Sequence, residues 1–247
     1  MANGHAFGVV VIVVLMIGGA FVFDRTDYLG PHPNVFGDWL LNIGLLFAFV
    51  TIVGAAVTSR WSGVLIDDRN RMSLSRLQLL LWTLIVVPGV LAIAAGRVLT
   101  GDPNPLGITV PQEVWILLGI SSTSLVGTPI IQSYKASQEP SGLAIAANPA
   151  PARKGLLAAN TTDTQAQWTN MFSGEEIGNA AFVDLGKVQM FFFTIVIGLV
   201  YAAALGTALW NQHQGASFPA VSQSMLVLLG ISHATYLTNK AAPHTQS

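Results

Sequence analysis

Segment 111–131 carries hydroxyl side chains at the spacing of one helix face. Ser121, Ser124 and Thr128 are three and four residues apart in a mostly apolar stretch, so on a helix they point in one direction. In apolar surroundings such a row has two uses. The oxygen atoms hydrogen-bond to neighbouring helices, or they line a hydrated path on which hydroxyl groups replace part of the water around an ion.

The same row occurs again 111 residues later. The letters of 117–121 return unchanged at 228–232, and polar residues take the places of the three hydroxyl residues. A pair of glutamines in two other apolar segments shows the same offset. Both uses, lining a pore and packing helices, stay open for the whole set, which is Gln78, Ser121, Ser124, Thr128, Gln189, Ser232, Thr235 and Asn239.

Small residues form a second row beside the polar one. Gly119, Thr123 and Gly127 are each four residues apart, and the second copy keeps short side chains at these positions. Small residues at this spacing let helix backbones approach closely. We therefore predict that the small row packs against other helices, and that the polar row is the first place to look for a function.

His233 stands in the second copy where the first has Ser122. An ionisable residue inside an apolar helix is a functional candidate, and an unperturbed histidine titrates at about pH 6.5. One hypothesis is a pH-sensitive gate. The other is a neutral imidazole that hydrogen-bonds to a neighbouring helix.

The composition predicts an all-α integral membrane protein. The chain is 52% hydrophobic and 9% charged, whereas soluble domains carry about 25% charged residues. A net charge of -1 argues against nucleic acid as a partner, and the lack of cysteine excludes disulfides and thiolate chemistry. The histidines are scattered singly, so neither a metal site nor a cofactor is expected.

Six segments are predicted to cross the bilayer, because a core of roughly 30 Å needs about 20 mostly apolar residues. Nine of the eleven Lys and Arg residues fall on one side of these segments. The positive-inside rule then places both termini in the cytoplasm. The predicted spans are 7–23, 39–57, 74–96, 111–131, 187–210 and 218–237.

The last four spans form a tandem repeat. Residues 73–83 align without a gap with 184–194, and the aromatic-Ser-Gly segment 61–63 aligns with 172–174 at the same offset. Each copy has two helices, so both copies insert in the same orientation. The predicted organisation is an N-terminal two-helix hairpin (1–59), a first repeat (60–132), a cytoplasmic linker (133–170, flexible over 133–167) and a second repeat (171–247).

Ser73 and Asp184 precede corresponding helices and are predicted N-caps. Arg76 and Lys187 follow three residues later, where their side chains are predicted to snorkel towards the membrane surface. Two acidic pairs, 67–68 and 175–176, lie near the aromatic-Ser-Gly segments. They are interpreted as solvated charge, paired in the first case with neighbouring arginines. A site for a cation or a cytosolic protein is the alternative.

The phrases "SRLQLLLWT" with "LLGIS", and "FSGEEIGN" and "VDLGKVQMFFFT" with "LLGISHATYL", carry a resemblance. They resemble a family of uncharacterised bacterial multi-pass membrane proteins with tandem two-helix repeats. The resemblance covers about residues 60–240 and leaves out the first two spans. It implies the bacterial cytoplasmic (inner) membrane, and it brings no catalytic or binding residues.

Two functions are compatible with these patterns. The first is a homo-oligomeric channel or pore-like protein lined by the polar rows. The second is a non-transporting scaffold or accessory subunit that docks a cytoplasmic or membrane partner. An enzyme is not expected, because the sequence has no carboxylate near the middle of a span and no GxSxG or HxxxH motif.

Overall fold

The computed structural model describes residues 8–16, 18, 34–147, 152–211 and 217–245. Most of these residues are helical, and a two-stranded antiparallel sheet lies between the third and fifth helices. The elements are α1 (Val35–Thr58), α2 (Leu74–Leu99), α3 (Gln112–Ala136), α4 (Gly142–Ala147), β1 (Ala152–Lys154), β2 (Leu157–Ala159), α5 (Leu185–Asn211) and α6 (Gln223–Ala241).

Within the described residues, α1, α2, α3 and α5 are long and apolar enough to cross a membrane. They correspond to predicted spans two to five, and each helix continues beyond its predicted end. This agrees with the prediction of a helical membrane protein. The first predicted span, 7–23, lies partly outside the described residues, and its described part is helical over 8–16.

The sixth predicted span, 218–237, differs from the structure. The helix begins only at Gln223, and α6 is not among the four apolar helices found in the described part of the chain. Pro219 disfavours a helical conformation of the residue before it. Its carbonyl oxygen instead accepts a hydrogen bond from the Tyr201 hydroxyl (3.2 Å), so this stretch packs as an extended segment.

A short hairpin precedes α2. In this first hairpin (residues 65–73), the backbone N–H of Ser73 donates to the carbonyl oxygen of Leu65 at 2.8 Å. Between them, Ile66 and Met72 form an antiparallel bridge. The chain therefore folds back on itself immediately before the helix starts.

A second hairpin (residues 172–184) precedes α5 in the same way. The backbone N–H of Asp184 donates to the carbonyl oxygen of Phe172 at 2.8 Å, and Ser173 and Val183 form the antiparallel bridge. Both helices thus begin directly after a hairpin whose last residue is the predicted N-cap.

The two hairpins differ in length by four residues. By their hydrogen bonds to the residue before the helix, Leu65 and Phe172 are equivalent, whereas the ungapped sequence alignment pairs Phe172 with Trp61. The segments 61–63 and 172–174 therefore lie at different places in the fold. Their sequence match does not reflect a shared hairpin structure.

The stretch 133–167 is folded rather than flexible where the structure describes it. Leu157 lies in β2 and is buried, and Ala158 N–H donates to the Glu175 carbonyl oxygen (2.9 Å). The turn between the strands needs glycine, because Gly155 has φ +56° and a Cβ there would clash with the Ala136 carbonyl oxygen. A composition of small and polar residues suggested a linker, but these backbone contacts to the second hairpin order it.

The chain divides into two compact units, and each takes segments from both predicted repeats. The first unit holds residues 1–63, 80–115 and 196–222, and the second holds 64–79, 116–195 and 223–247. In the first unit, the indole Nε1 of Trp39 donates to the Ile85 carbonyl oxygen at 3.1 Å. Charged side chains collect in the second unit.

Candidate functional site

Charged side chains in the second unit are buried together where α2 and α5 begin and where α3 and α6 end. They come from both hairpins and from α3, α5 and α6, and are between 1% and 12% exposed. Burying an ion is costly unless it is well paired. We call this set the buried charge network, and its members are Asp67, Arg69, Lys135, Glu175, Glu176, Lys187 and Lys240.

Glu175 of the second hairpin lies at the centre of the network. Its carboxylate contacts Lys240 Nζ at 2.6 Å, Lys187 Nζ at 3.0 Å and Arg69 Nη2 at 3.5 Å. The Gln132 amide donates to its second oxygen at 3.0 Å. Burial by itself raises the pKa of the Glu175 carboxyl, but the positive charges of these three side chains outweigh it. The pKa of Glu175 therefore lies well below its usual range.

Arg69 joins the first hairpin to this centre. Its Nε and Nη2 atoms donate to one oxygen of Asp67 at 3.0 and 2.7 Å, and the other oxygen accepts the backbone N–H groups of Arg69 and Arg71. Burial opposes the charged guanidinium, but Glu175 and Asp67 together raise the pKa of Arg69. The guanidinium stays charged in the interior because carboxylates from both hairpins compensate it.

Arg71 crosses from the first hairpin to the second. Its guanidinium donates to the Gly174 carbonyl oxygen (3.1 Å) and to the Ser173 hydroxyl (2.6 Å). Burial and the nearby charge of Arg69 lower the pKa of Arg71. The sequence predicts a surface ion pair here, whereas the structure shows a buried arginine that binds neutral oxygen atoms.

Lys135, at the end of α3, holds the end of α6. Its Nζ atom contacts Glu176 Oε1 at 2.5 Å and donates to the carbonyl oxygens of Lys240 and Ala242 at 2.5 and 2.7 Å. The last carbonyl groups of a helix have no partner within the helix, so this cation caps them. Glu176 also accepts the backbone N–H of His244 at 2.9 Å, which fixes the residues after the helix.

A row of hydroxyl groups continues from the network into the helices. Lys240 Nζ donates to the Tyr236 hydroxyl at 2.8 Å. The Ser75 hydroxyl lies 3.4 Å from both Tyr236 and Thr128. These contacts join α2, α3 and α6 through buried polar atoms.

Lys187 does not snorkel as the sequence predicts. Its side chain is buried, contacts Glu175 and donates to the Ser173 carbonyl oxygen at 2.8 Å. The hairpin in front of α5 folds over the helix start and covers this lysine. Asp184 does act as a cap, because its carboxylate accepts the backbone N–H of Lys187 at 3.2 Å.

The interpretation of the acidic pairs as solvated charge holds for only one of the four residues. Asp68 has a 72% exposed side chain and pairs with Lys154. Asp67, Glu175 and Glu176 are instead among the least accessible charges of the second unit. Sequence reasoning missed the network because nothing in the residue order shows that the hairpins fold back over these side chains. The available signal was the presence of both signs of charge beside the starts of two helices.

Four residues of the predicted polar set face the interior of the second unit. They are at most 5% exposed. The amide Nε2 of Gln78 in α2 donates to the hydroxyl of Thr194 in α5 at 2.6 Å. The Thr128 hydroxyl also lies 3.4 Å from that of Ser75, so two of the four hydrogen-bond between helices, which is the packing use of the polar row. The four are Gln78, Ser121, Thr128 and Ser232.

The other members of the set are placed differently. Gln189 and Thr235 are exposed, and the Asn239 amide donates to Asp184 at 3.1 Å. The side chain of Ser124 lies outside the described part of the structure. The polar set therefore does not form a single surface.

His233 is 5% exposed and lies next to buried Ser232 in α6. A buried imidazole agrees with the hypothesis of a packed, neutral histidine. A pH-sensitive gate at His233 stays a prediction.

The small row faces outwards, contrary to the prediction. Gly119 and Thr123 are exposed, and the Thr123 hydroxyl donates back to the Gly119 carbonyl oxygen at 2.8 Å. No described atom lies within 4 Å of a Cβ built at Gly119 or Gly230. Gly127 differs, because a Cβ built there would lie 3.7 Å from the side chain of Leu237 in α6. Periodicity identified two rows, but the packing of the chain buries Ser121 and Thr128 of the polar row and leaves Thr235 exposed.

The network encloses a cavity of about 10 Å³, which is room for one water molecule. Its lining carries three lysines and three carboxylates. Among the residues that the structure describes, no three His, Asp or Glu side chains are grouped to hold a metal ion. The charged lining residues are Lys135, Lys187, Lys240, Glu175, Glu176 and Asp184.

No family model, curated protein or solved structure matches this chain.

Ser232→Ala is expected to leave the free energy of unfolding within about 0.5 kcal/mol of the wild type, or to raise it. The reason is that Ser232 Oγ is buried and, within the described residues, has no hydrogen-bond partner. Tyr236→Phe is expected to cost about 1–3 kcal/mol, because Lys240 loses an acceptor. Equilibrium unfolding of both variants in mixed micelles measures the difference. A clear loss in Ser232→Ala would contradict the absence of a hydrogen-bond partner for this hydroxyl among the described residues.

Proposed function

We propose that the protein is a multi-pass membrane scaffold or accessory subunit without enzymatic activity. One observation carries this proposal: the buried charge network joins both hairpins to the ends of α3 and α6 and to the start of α5. The charged groups of this region therefore pair with one another and stabilise the fold. A rigid body at one end of membrane helices is suited to docking another protein.

The burial of several polar residues in the second unit supports a scaffold rather than an ion-conducting path through this unit. Two of these residues bond to neighbouring helices, Gln78 to Thr194 and Thr128 to Ser75. The cavity at the network has room for one water molecule and no larger solute. A conducting path needs a continuous row of polar groups that water can reach.

The network end of the helices is proposed to face the cytoplasm, and both termini with it. The distribution of Lys and Arg supports this orientation, since nine of eleven lie on that side. The positive-inside rule acts while the helices insert, so later burial of these residues does not weaken it. The bacterial inner membrane is proposed from the sequence resemblance alone.

A homo-oligomeric channel is the second candidate, and its lining would differ from the one predicted. A path between copies of the chain needs polar residues that one copy leaves exposed. Gln189 and Thr235 meet this condition, whereas the buried members of the polar set do not. These two residues are therefore the proposed lining in that case.

Reconstitution and partner isolation together test both candidates. The scaffold predicts no ion flux in liposomes and a stoichiometric partner in native membranes. Leu143 in α4, which follows the network end of α3, is 82% exposed, so Leu143→Asp is expected to release a partner docked at this end without unfolding the protein. Leu106→Asp, at a loop residue that is 79% exposed, is the matched control and is expected to retain it.

The contrary result is flux by the purified protein that Thr235→Leu or Gln189→Leu abolishes while the oligomer survives. That outcome overturns the scaffold and supports the channel. Flux that is insensitive to both variants overturns the scaffold and also excludes these two residues as the lining.

A further inference from the structure

The two hairpins expose equivalent residues very differently. Their bridges make Met72 equivalent to Val183, and each is followed two residues later by the first residue of a helix. In the first hairpin, Arg71, Met72 and Leu74 are 5%, 3% and 3% exposed. In the second, Phe182, Val183 and Leu185 are 66%, 68% and 77% exposed.

The hydrogen bonds of Arg71 account for the burial of the first hairpin. Arg71 of the first hairpin donates to the Gly174 carbonyl oxygen and the Ser173 hydroxyl of the second hairpin. These contacts hold the strand around Arg71 in the interior. The equivalent residue is Phe182, which has no side-chain donor and ends in an apolar ring. The second hairpin thus presents an aromatic and two aliphatic side chains where the first presents a buried arginine.

The exposed apolar residues continue along α5. Phe192 follows Leu185 by seven residues, and both lie on one face of the helix. Phe192 is 58% exposed and Leu185 is 77% exposed. Val196 and Leu199 follow Phe192 by four and seven residues and are 55% and 62% exposed. A helix that is long and apolar enough to cross a membrane turns such a face to lipid. Phe182 and Val183 extend this face beyond the first residue of the helix.

We propose that the second hairpin anchors the protein in the membrane surface through its own apolar side chains. Phe182 and Val183 insert between the phospholipid headgroups and the acyl chains of the leaflet in which α5 begins. Phenylalanine and aliphatic side chains of interfacial segments insert to this depth because their apolar surface leaves water at the boundary between headgroups and acyl chains. The first hairpin makes no such contact, so one repeat is anchored in lipid and the other is held by protein.

The proposed anchor also determines which face of α5 contacts lipid. If the face of Leu185 and Phe192 is in lipid, then Gln189, which lies between them, is at the lipid boundary. The channel candidate would then keep only Thr235 as an exposed polar residue of the predicted set. A second copy of the chain is the competing occupant of the same face, and the experiment separates the two.

The chain contains no cysteine, so single-cysteine variants carry one label each. Val183→Cys and Phe182→Cys are labelled with an environment-sensitive fluorophore after reconstitution into phosphatidylcholine liposomes that contain brominated lipids. Asp68→Cys, at an exposed residue of the first hairpin, is the matched control. Gel filtration establishes that each variant is folded before labelling.

Labels at 182 and 183 are expected to be quenched several-fold more strongly by lipids brominated near the headgroup than the label at 68. They are also expected to be protected from aqueous iodide. Equal access of iodide to all three labels overturns the anchor. Protection from iodide without quenching by lipid, together with disulfide cross-linking between two copies of the unlabelled Phe182→Cys variant, also overturns it and assigns the face to a second chain.

Discussion

Lys135→Met is expected to lower the free energy of unfolding by about 3–5 kcal/mol, the loss typical of breaking a buried ion pair on one side. The substitution leaves Glu176, which is 1% exposed, without its cation. It also removes the donor to two carbonyl oxygens at the end of α6. For a chain of this length, such a loss corresponds to a melting temperature lower by roughly 6–20 °C.

The control for this prediction is Lys154→Met. That lysine also pairs with a carboxylate, but the two side chains are 47% and 72% exposed. Exposed pairs contribute at most about 1 kcal/mol. Thermal unfolding in detergent compares the two variants. Equal losses would mean that the fold of the second unit does not depend on Lys135.

A double variant tests the mechanism. Adding Glu176→Met to Lys135→Met removes the uncompensated carboxylate and is expected to recover about 0.5–3 kcal/mol. Recovery remains incomplete, because the carbonyl oxygens at the end of α6 still lack their donor. An additive loss in the double variant contradicts direct pairing of the two side chains.

Glu175→Gln is expected to cost a similar amount, about 3–5 kcal/mol, because three buried cations lose the one carboxylate that they share. A glutamine fills the same space and still accepts a hydrogen bond, so the loss reports the charge and not a cavity. Glu139→Gln is the matched control. Its side chain is 85% exposed, and the change is expected to have little effect.

The charge of Glu175 also predicts how stability depends on pH. A carboxyl whose pKa is lower in the folded than in the unfolded state stabilises the fold above its unfolded pKa, of about 4.3. That contribution is lost as the pH falls towards the folded pKa. Glu175 therefore adds no slope between pH 5 and 8, and its contribution declines below about pH 4.

Unfolding followed from pH 8 to pH 3 tests this dependence. The wild type is expected to lose stability in acid more steeply than Glu175→Gln, because the variant has no such carboxyl to protonate. Parallel curves for the two proteins would contradict a lowered pKa of Glu175. Glu139→Gln is expected to follow the wild type throughout.

Hydropathy and spacing predicted a mostly helical chain and the positions of the four helices that are long and apolar enough to cross a membrane. Burying about 20 apolar residues in a row is possible in few ways, so composition alone predicts these helices well. The sixth predicted span is not confirmed, because α6 begins only at Gln223 and carries Ser232, His233 and Asn239. Polar residues lower the hydropathy of a helix without excluding it from the fold.

The repeat predicted the positions of Ser73 and Asp184 at the helix starts, but it did not predict the two hairpins in front of them. Their lengths differ, and an ungapped alignment cannot register four residues gained within a loop. Gly119 and Thr123 of the row predicted to pack are exposed, because the spacing of residues shows that they share a face and not which face is covered.

The sequence by itself predicted helices long and apolar enough to cross a membrane, which residues share helix faces, and that Lys and Arg fall mostly on one side of the predicted spans. These properties depend on neighbours within one helix turn or on sums over whole segments. Only the tertiary structure decided that Arg69, Glu175, Lys187 and Lys240 meet in one buried network. Their positions in the chain span 171 residues, and their pairing depends on the backbone hydrogen bonds that fold two hairpins over the helix ends.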